Sequence, residues 1–130
     1  PDRAQATLDI RTLPDQDSQQ VIDQLLALAG DDFTIEVIDD KPPVETPVDD
    51  PFVATCLNAV IGACGQAAAP GGVHYFSDSN VLVPALKIPR VIIGPGELGM
   101  SGCQDEWVAL DAVADAAAIY AKIASEVLAG

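Results

Sequence analysis

His74 is the single histidine of the chain, and it limits what nucleophilic chemistry the residues can perform. A Ser-His-acid arrangement would need His74 with Ser77, Ser79 or Ser101, yet no Gly-x-Ser-x-Gly turn is present to expose such a serine. A surface or hydrogen-bonded core histidine accounts for the same residue. Gly71-Gly72 and Gly94-Pro95-Gly96 are glycine-rich, but neither leads into a phosphate-binding loop or a spaced dinucleotide fingerprint. The backbone N–H groups of Phe76, Ser77 and Asp78 precede a short helix and could hold a carboxylate or oxyanion, because free amides and the helix dipole both favour negative charge there. Plain helix capping explains these residues as well. Arg11 offers the forked donor set that grips a carboxylate at two points, with a solvated arginine as the alternative. Asp105-Glu106 reads as an acidic pair placed favourably ahead of the last helix. Cys56, Cys64 and Cys103 are odd in number and lack C-x-x-C spacing, so neither a disulfide framework nor a structural zinc site is indicated. Two of them fall within an apolar run, where a free thiol acts as a small buried hydrophobe.

The elements that would position these residues follow from periodicity. Ala6 to Arg11 alternates apolar and polar, the pattern of a half-buried strand. Asp15 to Ser18 can cap a helix with a stripe of Val21, Ile22, Leu25, Leu26 and Leu28, closed by Gly30. Phe33 to Ile38 alternates again, so the first forty residues predict a βαβ-like unit. Asp39 to Asp50, with Pro42, Pro43, Pro47 and, just past it, Pro51, reads as a linker. Asp50-Pro51 opens a helix whose broad face carries Phe52, Val53, Cys56, Leu57, Val60, Ile61 and Cys64. His74 to Phe76 predicts a short extended piece, and Ser77-Asp78 caps a short helix through Leu82 and Leu86. Pro89 to Ile93 is a continuous apolar run, as in a strand buried on both faces of a parallel sheet. A long helix from Trp107 to Leu128 then carries Val108, Leu110, Val113, Ala117, Tyr120, Ile123, Ala124 and Val127 and would dock on that sheet. No internal repeat is present.

Composition sets the outer limits. With 130 residues and 49% hydrophobic content, the chain has the material for about one small domain with a core. Six basic residues against twenty acidic ones give a net charge of −14, a field that repels phosphate backbones and anionic bilayers. Nucleic acid and membrane are therefore not expected partners. No apolar run reaches the length of a membrane span, and the opening Pro-Asp-Arg does not resemble a signal peptide. The thiols fit a reducing cytoplasm. A start at Pro1 suits a piece of a longer protein or a processed chain.

Four motifs in register carry a family resemblance. Asp9-Ile10-Arg11-Thr12-Leu13-Pro14, Tyr75-Phe76-Ser77-Asp78-Ser79-Asn80-Val81-Leu82, Ile88-Pro89-Arg90-Val91-Ile92-Ile93-Gly94-Pro95-Gly96 and Asp105-Glu106-Trp107-Val108 resemble, in this order, the C-terminal part of the dinuclear zinc peptidase and deacylase family. That family includes acetylornithine deacetylase, succinyl-diaminopimelate desuccinylase, aminoacylases and glutamate carboxypeptidases. The resemblance spans nearly the whole chain. It implies an α/β fold: half of a ferredoxin-like lid (βαβ), followed by part of a parallel-type α/β sheet with long helices. Residues 1–40 would be the second half of the lid or dimerisation domain, 41–50 a linker, and 51–130 the C-terminal part of the hydrolase catalytic domain. Arg11 would grip the substrate carboxylate, with Phe76 and Ser77 as substrate-contacting loop residues. The cofactor implied is zinc, two ions per site, with cobalt or manganese as alternatives.

One departure stands out. Family members place a histidine ligand shortly after the Gly-Pro-Gly turn, and here Gly102 occupies that position, between Ser101 and Cys103. Glycine offers no ligand atom, so Cys103 is the residue that could replace it, as a thiolate. The resemblance implies cleavage of an amide bond, in an N-acyl amino acid or peptide, next to a carboxylate. The partners expected are that small substrate and a second copy joined through the lid. This chain by itself lacks most of the family's catalytic residues, so a non-catalytic relative or a subunit or dimerisation fragment stands as the alternative. An unrelated small α/β domain that binds an anion at the Phe76 to Asp78 turn is a third reading.

Overall fold

Four helices form, two of them where an aspartate cap meets an apolar run, and a computed structural model of the chain describes residues 2–65 and 67–129. The helices are α1 (Ser18–Ala29), α2 (Pro51–Cys64), α3 (Ser79–Leu86) and α4 (Leu110–Ala129). At α1 the Asp17 carboxylate accepts from the N–H groups of Gln19 and Gln20, at 2.7 and 3.3 Å, satisfying donors that the first turn leaves orphaned. Its other end closes at Gly30, whose φ of +80° suits glycine. In α2 the Asp50 carboxylate accepts from Phe52 N–H at 2.8 Å, Pro51 occupies the first turn where no N–H is needed, and left-handed Gly65 ends the helix. Helix α3 is capped less firmly. Asp78 makes no side-chain cap bond, and Ser77 Oγ accepts from Ser79 N–H at 3.4 Å instead. Pro84 lies inside α3, and Lys87 ends it in the left-handed region at φ +53°.

The expected α/β fold is corrected by this architecture, which is all-helical among the described residues. No βαβ lid half and no parallel sheet is present there. Residues 6–11, 33–38, 74–76 and 89–93 form no strand. Among the described residues, the backbone hydrogen bonds seen outside the helices join residues three or four apart, as turns and caps do. Alternation specifies two faces for a strand, but a ladder needs a neighbouring chain at about 4.8 Å, and no ladder forms along these segments among the described residues. The 89–93 run is not buried on both faces either: Val91 and Ile93 are half-buried and Ile92 is exposed. Its ties are to side chains, Arg90 N–H donating to Thr46 Oγ1 at 2.8 Å and Tyr120 O–H donating to Ile93 O at 2.7 Å.

The chain divides into two compact units, 1–45 with 73–88 and 46–72 with 89–130. The second holds the buried core, where α2 packs on α4. Val53, Cys56 and Ala59 on α2 and Ala116 and Ile119 on α4 are buried, with Ala59 wholly inaccessible. Spacings of three residues place each set on one face, and the two alanines let the helix backbones approach. The last helix therefore docks on α2, not on a sheet, and through a different stripe from the one expected: Leu110, Val113, Tyr120 and Val127 are exposed. An alanine-rich helix is apolar nearly all round, so periodicity alone does not choose its buried face. Asp105, in the left-handed region at φ +57°, lies in the stretch ahead of α4, which begins at Leu110 and not at Trp107. In the first unit neither α1 nor α3 has a buried residue, and Leu28 of the α1 stripe is 83% exposed. Of the three free thiols, Cys56 is buried, whereas Cys64, expected inside the apolar run, is exposed at the end of α2.

Candidate functional site

Arg11 and Phe76, sixty-five positions apart in sequence, come together in the first unit. The Arg11 guanidinium carbon lies 5.8 Å from the centre of the Phe76 ring, within reach of the attraction between a cation and an aromatic face. Arg11 Nη2 also donates to Asp9 Oδ2 at 2.6 Å, an ion pair two residues apart with both side chains largely in solvent. Such a pair contributes little and leaves the guanidinium open to exchange partners.

A second cation meets the same ring. Lys41 Nζ lies 5.3 Å from the Phe76 centre and is ion-paired with Asp39. Both neighbours of Lys41 are tied, one through its side chain and one through its backbone: Ser18 Oγ donates to Asp40 Oδ1 at 2.9 Å, and Asn80 Nδ2 donates to Pro42 O at 2.9 Å. Helix α1 and helix α3 thus hold the segment that presents Lys41. Sequence reasoning passed over Lys41 because residues 39–50 read as a linker. The signal available was the spacing of an aspartate two residues before a cation, shared by Asp9 and Arg11 and by Asp39 and Lys41.

Ser77 is half-buried and its Oγ donates to Ser79 Oγ at 2.9 Å. The N–H groups of Phe76, Ser77 and Asp78 donate to no acceptor among the described residues, so the amides at the head of α3 are available to an anion. Their neighbours are committed: the N–H groups of Asn80, Val81 and Leu82 already bond Ser77 O and Asp78 O at 3.0 Å.

Gly102 and Cys103 belong to the second unit, on a loop of successive turns. Met100 N–H bonds Glu97 O and Cys103 N–H bonds Met100 O. Gly102 N–H donates to Glu106 Oε2 at 3.0 Å, with the glycine at φ +78°, a backbone region that disfavours side chains with a Cβ. The exposed Cys103 thiol donates to Gly99 O at 3.0 Å.

Residues 3–126 match the family model of peptidase family M20/M25/M40. The chain belongs to this family. Among curated proteins and solved structures none matches the chain. Membership makes it part of a group of metal-dependent hydrolases, and the four sequence motifs lie within the matched span. The described residues do not fit a metal centre of their own: no group of three or more His, Cys, Asp or Glu side chains is placed to hold an ion, whereas a zinc site takes three or four such ligands. Gly102 has no donor atom and the Cys103 thiol faces a backbone carbonyl. Among the described helices none is long and apolar enough to cross a membrane.

Proposed function

We propose that the protein is an M20-type hydrolase cleaving the amide bond of an N-acyl amino acid or peptide next to a carboxylate, as acetylornithine deacetylase and succinyl-diaminopimelate desuccinylase do. In this reading residues 1–40 serve as lid and dimerisation part, 41–50 as linker and 51–130 as the C-terminal part of the catalytic domain. The observation that carries it is the convergence of Arg11 on Phe76 at the open amides that head α3. Arg11 takes the substrate carboxylate through charge-assisted hydrogen bonds, the Phe76 ring attracts the guanidinium from 5.8 Å, and Ser77 adds a hydroxyl and a backbone N–H. These residues bind and orient; the described residues supply no metal ligand, and no hydrolytic step is assigned to them. A homodimer through residues 1–40 is supported by the apolar side chains that segment exposes, Leu8, Ile10, Phe33, Val37 and Ile38. The free cysteines support a cytoplasmic setting.

The test is the steady-state kinetics of Arg11→Ala in the intact protein on N-acyl amino acids. Loss of a charge-assisted contact predicts a KM raised about tenfold or more, ~1.5 kcal/mol, with kcat changed less. An unchanged KM removes Arg11 from the site. A second reading, a non-catalytic relative or subunit, is favoured by one specific observation, the left-handed Gly102 beside a thiol bonded to Gly99 O. Intact protein that binds N-acyl amino acids but turns none over, with metal supplied, selects that reading.

A further inference from the structure

The proposed clamp accounts for one cation at Phe76, and the structure places two. The chain has six basic residues against twenty acidic ones, and two of the six come within 6 Å of one ring centre from segments thirty positions apart. Neither is held by a strong internal partner. Asp9 and Asp39 are exposed carboxylates, each two residues before its cation, and such pairs are readily exchanged for an incoming anion. Asn80 Nδ2 donates to Pro42 O, and Ser18 Oγ donates to the Asp40 carboxylate, so the segment that carries Lys41 is tied to α3 and α1 beside the ring. The Phe76 ring, 42% exposed, lies within 6 Å of both cations and gives the ligand an apolar surface to lie against.

We propose that Lys41 is a specificity-determining residue, and that the site takes a dianionic ligand whose second carboxylate is bound by Lys41 while Arg11 holds the first. The proposal rests on the reading of Arg11 as a carboxylate clamp and adds the substrate class to it, N-acyl amino acids with an acidic side chain. A compact ammonium on a flexible stem acts as a point charge, so Lys41 reads charge and tolerates variation in the spacing between the carboxylates.

The experiment is calorimetric titration of the intact protein with N-acetyl-L-glutamate and its near-isostere N-acetyl-L-glutamine, which differs by one negative charge. The expected result is about tenfold tighter binding of the glutamate compound. In Lys41→Met that preference disappears while the affinity for N-acetyl-L-glutamine is unchanged; in Arg11→Gln both ligands weaken. Lys41→Arg keeps the preference. A preference that persists in Lys41→Met, or no preference in the unsubstituted protein, overturns the role of Lys41 and leaves the clamp standing. Equal binding by Arg11→Gln and the unsubstituted protein overturns the clamp instead, and failure of the unsubstituted protein to bind either compound overturns both. Both substituted side chains are at the surface, and an unchanged circular dichroism spectrum establishes that the variants are folded.

Discussion

The two units use the same local devices to opposite ends. Helices α1 and α2 are both opened by an aspartate cap and closed by a glycine, and both carry an apolar stripe. Only α2 finds a second apolar face, on α4, and only there do side chains leave solvent. Helix α1 keeps its stripe at best half-buried, while its unit gathers the ion pairs and the aromatic ring of the candidate site. Local signals therefore decide where a helix starts and stops, whereas burial depends on what lies opposite. The unit with the thinner apolar interior is the one with polar groups free to meet a ligand.

That contrast can be broken by mutation. Ile119→Ala removes buried methylenes from the α2 and α4 interface, and a loss of about 3 kcal/mol is expected in urea unfolding. Ile10→Ala in the other unit, at a side chain 46% exposed, is expected to stay within about 0.5 kcal/mol; equal losses would mean that residues 6–11 are buried in solution. Next in size, Asp50→Ala removes the cap of α2 and is expected to cost about 1 kcal/mol of global stability. Asp17→Ala removes the matching bond from α1, and its effect should show as faster amide exchange within α1 without a comparable shift in the global midpoint. The smallest effect concerns Cys56, whose thiol is pushed above its usual 9.0 by burial. A buried thiol resists ionisation in the folded state only, so stability is unaffected below pH 9 and falls as pH rises beyond it, because the unfolded chain releases its proton first. The slope of stability against pH above 9 should be shallower in Cys56→Ala, and identical slopes would remove this contribution.

Much of the helical pattern could be read from residue order because its causes lie within a few positions. Asp17, Asp50 and Gly30 act on amides and carbonyls two to four residues away, and the reading of α1 and α2 rested on the Asp15 to Ser18 cap, Gly30 and Asp50-Pro51, as that of α3 did on Ser77-Asp78. The family was legible for a different reason, four short motifs in fixed order, and the match over residues 3–126 agrees with it. Strand formation failed because the alternation of 6–11 and 33–38 describes one partner of a pair. The buried face of α4 was hidden by its alanines, which make Ala116 and Ile119 no more conspicuous than Ala117 and Tyr120. Lys41 was missed for a related reason: proline-rich surroundings suggest absence of packing, and nothing local reveals that Ser18 and Asn80 hold that stretch in place.

The segment 89–93 is clasped near its ends, by Thr46 at Arg90 and by Tyr120 at Ile93, with no backbone rung from Val91 or Ile92 among the described residues. It behaves as a cable strung between two posts and not as a plank in a floor. In a ladder, one extra residue would shift the register and turn every following side chain to the opposite face. Strung in this way, an added residue after Val91 is taken up as slack that bows into solvent, and both posts keep their grip.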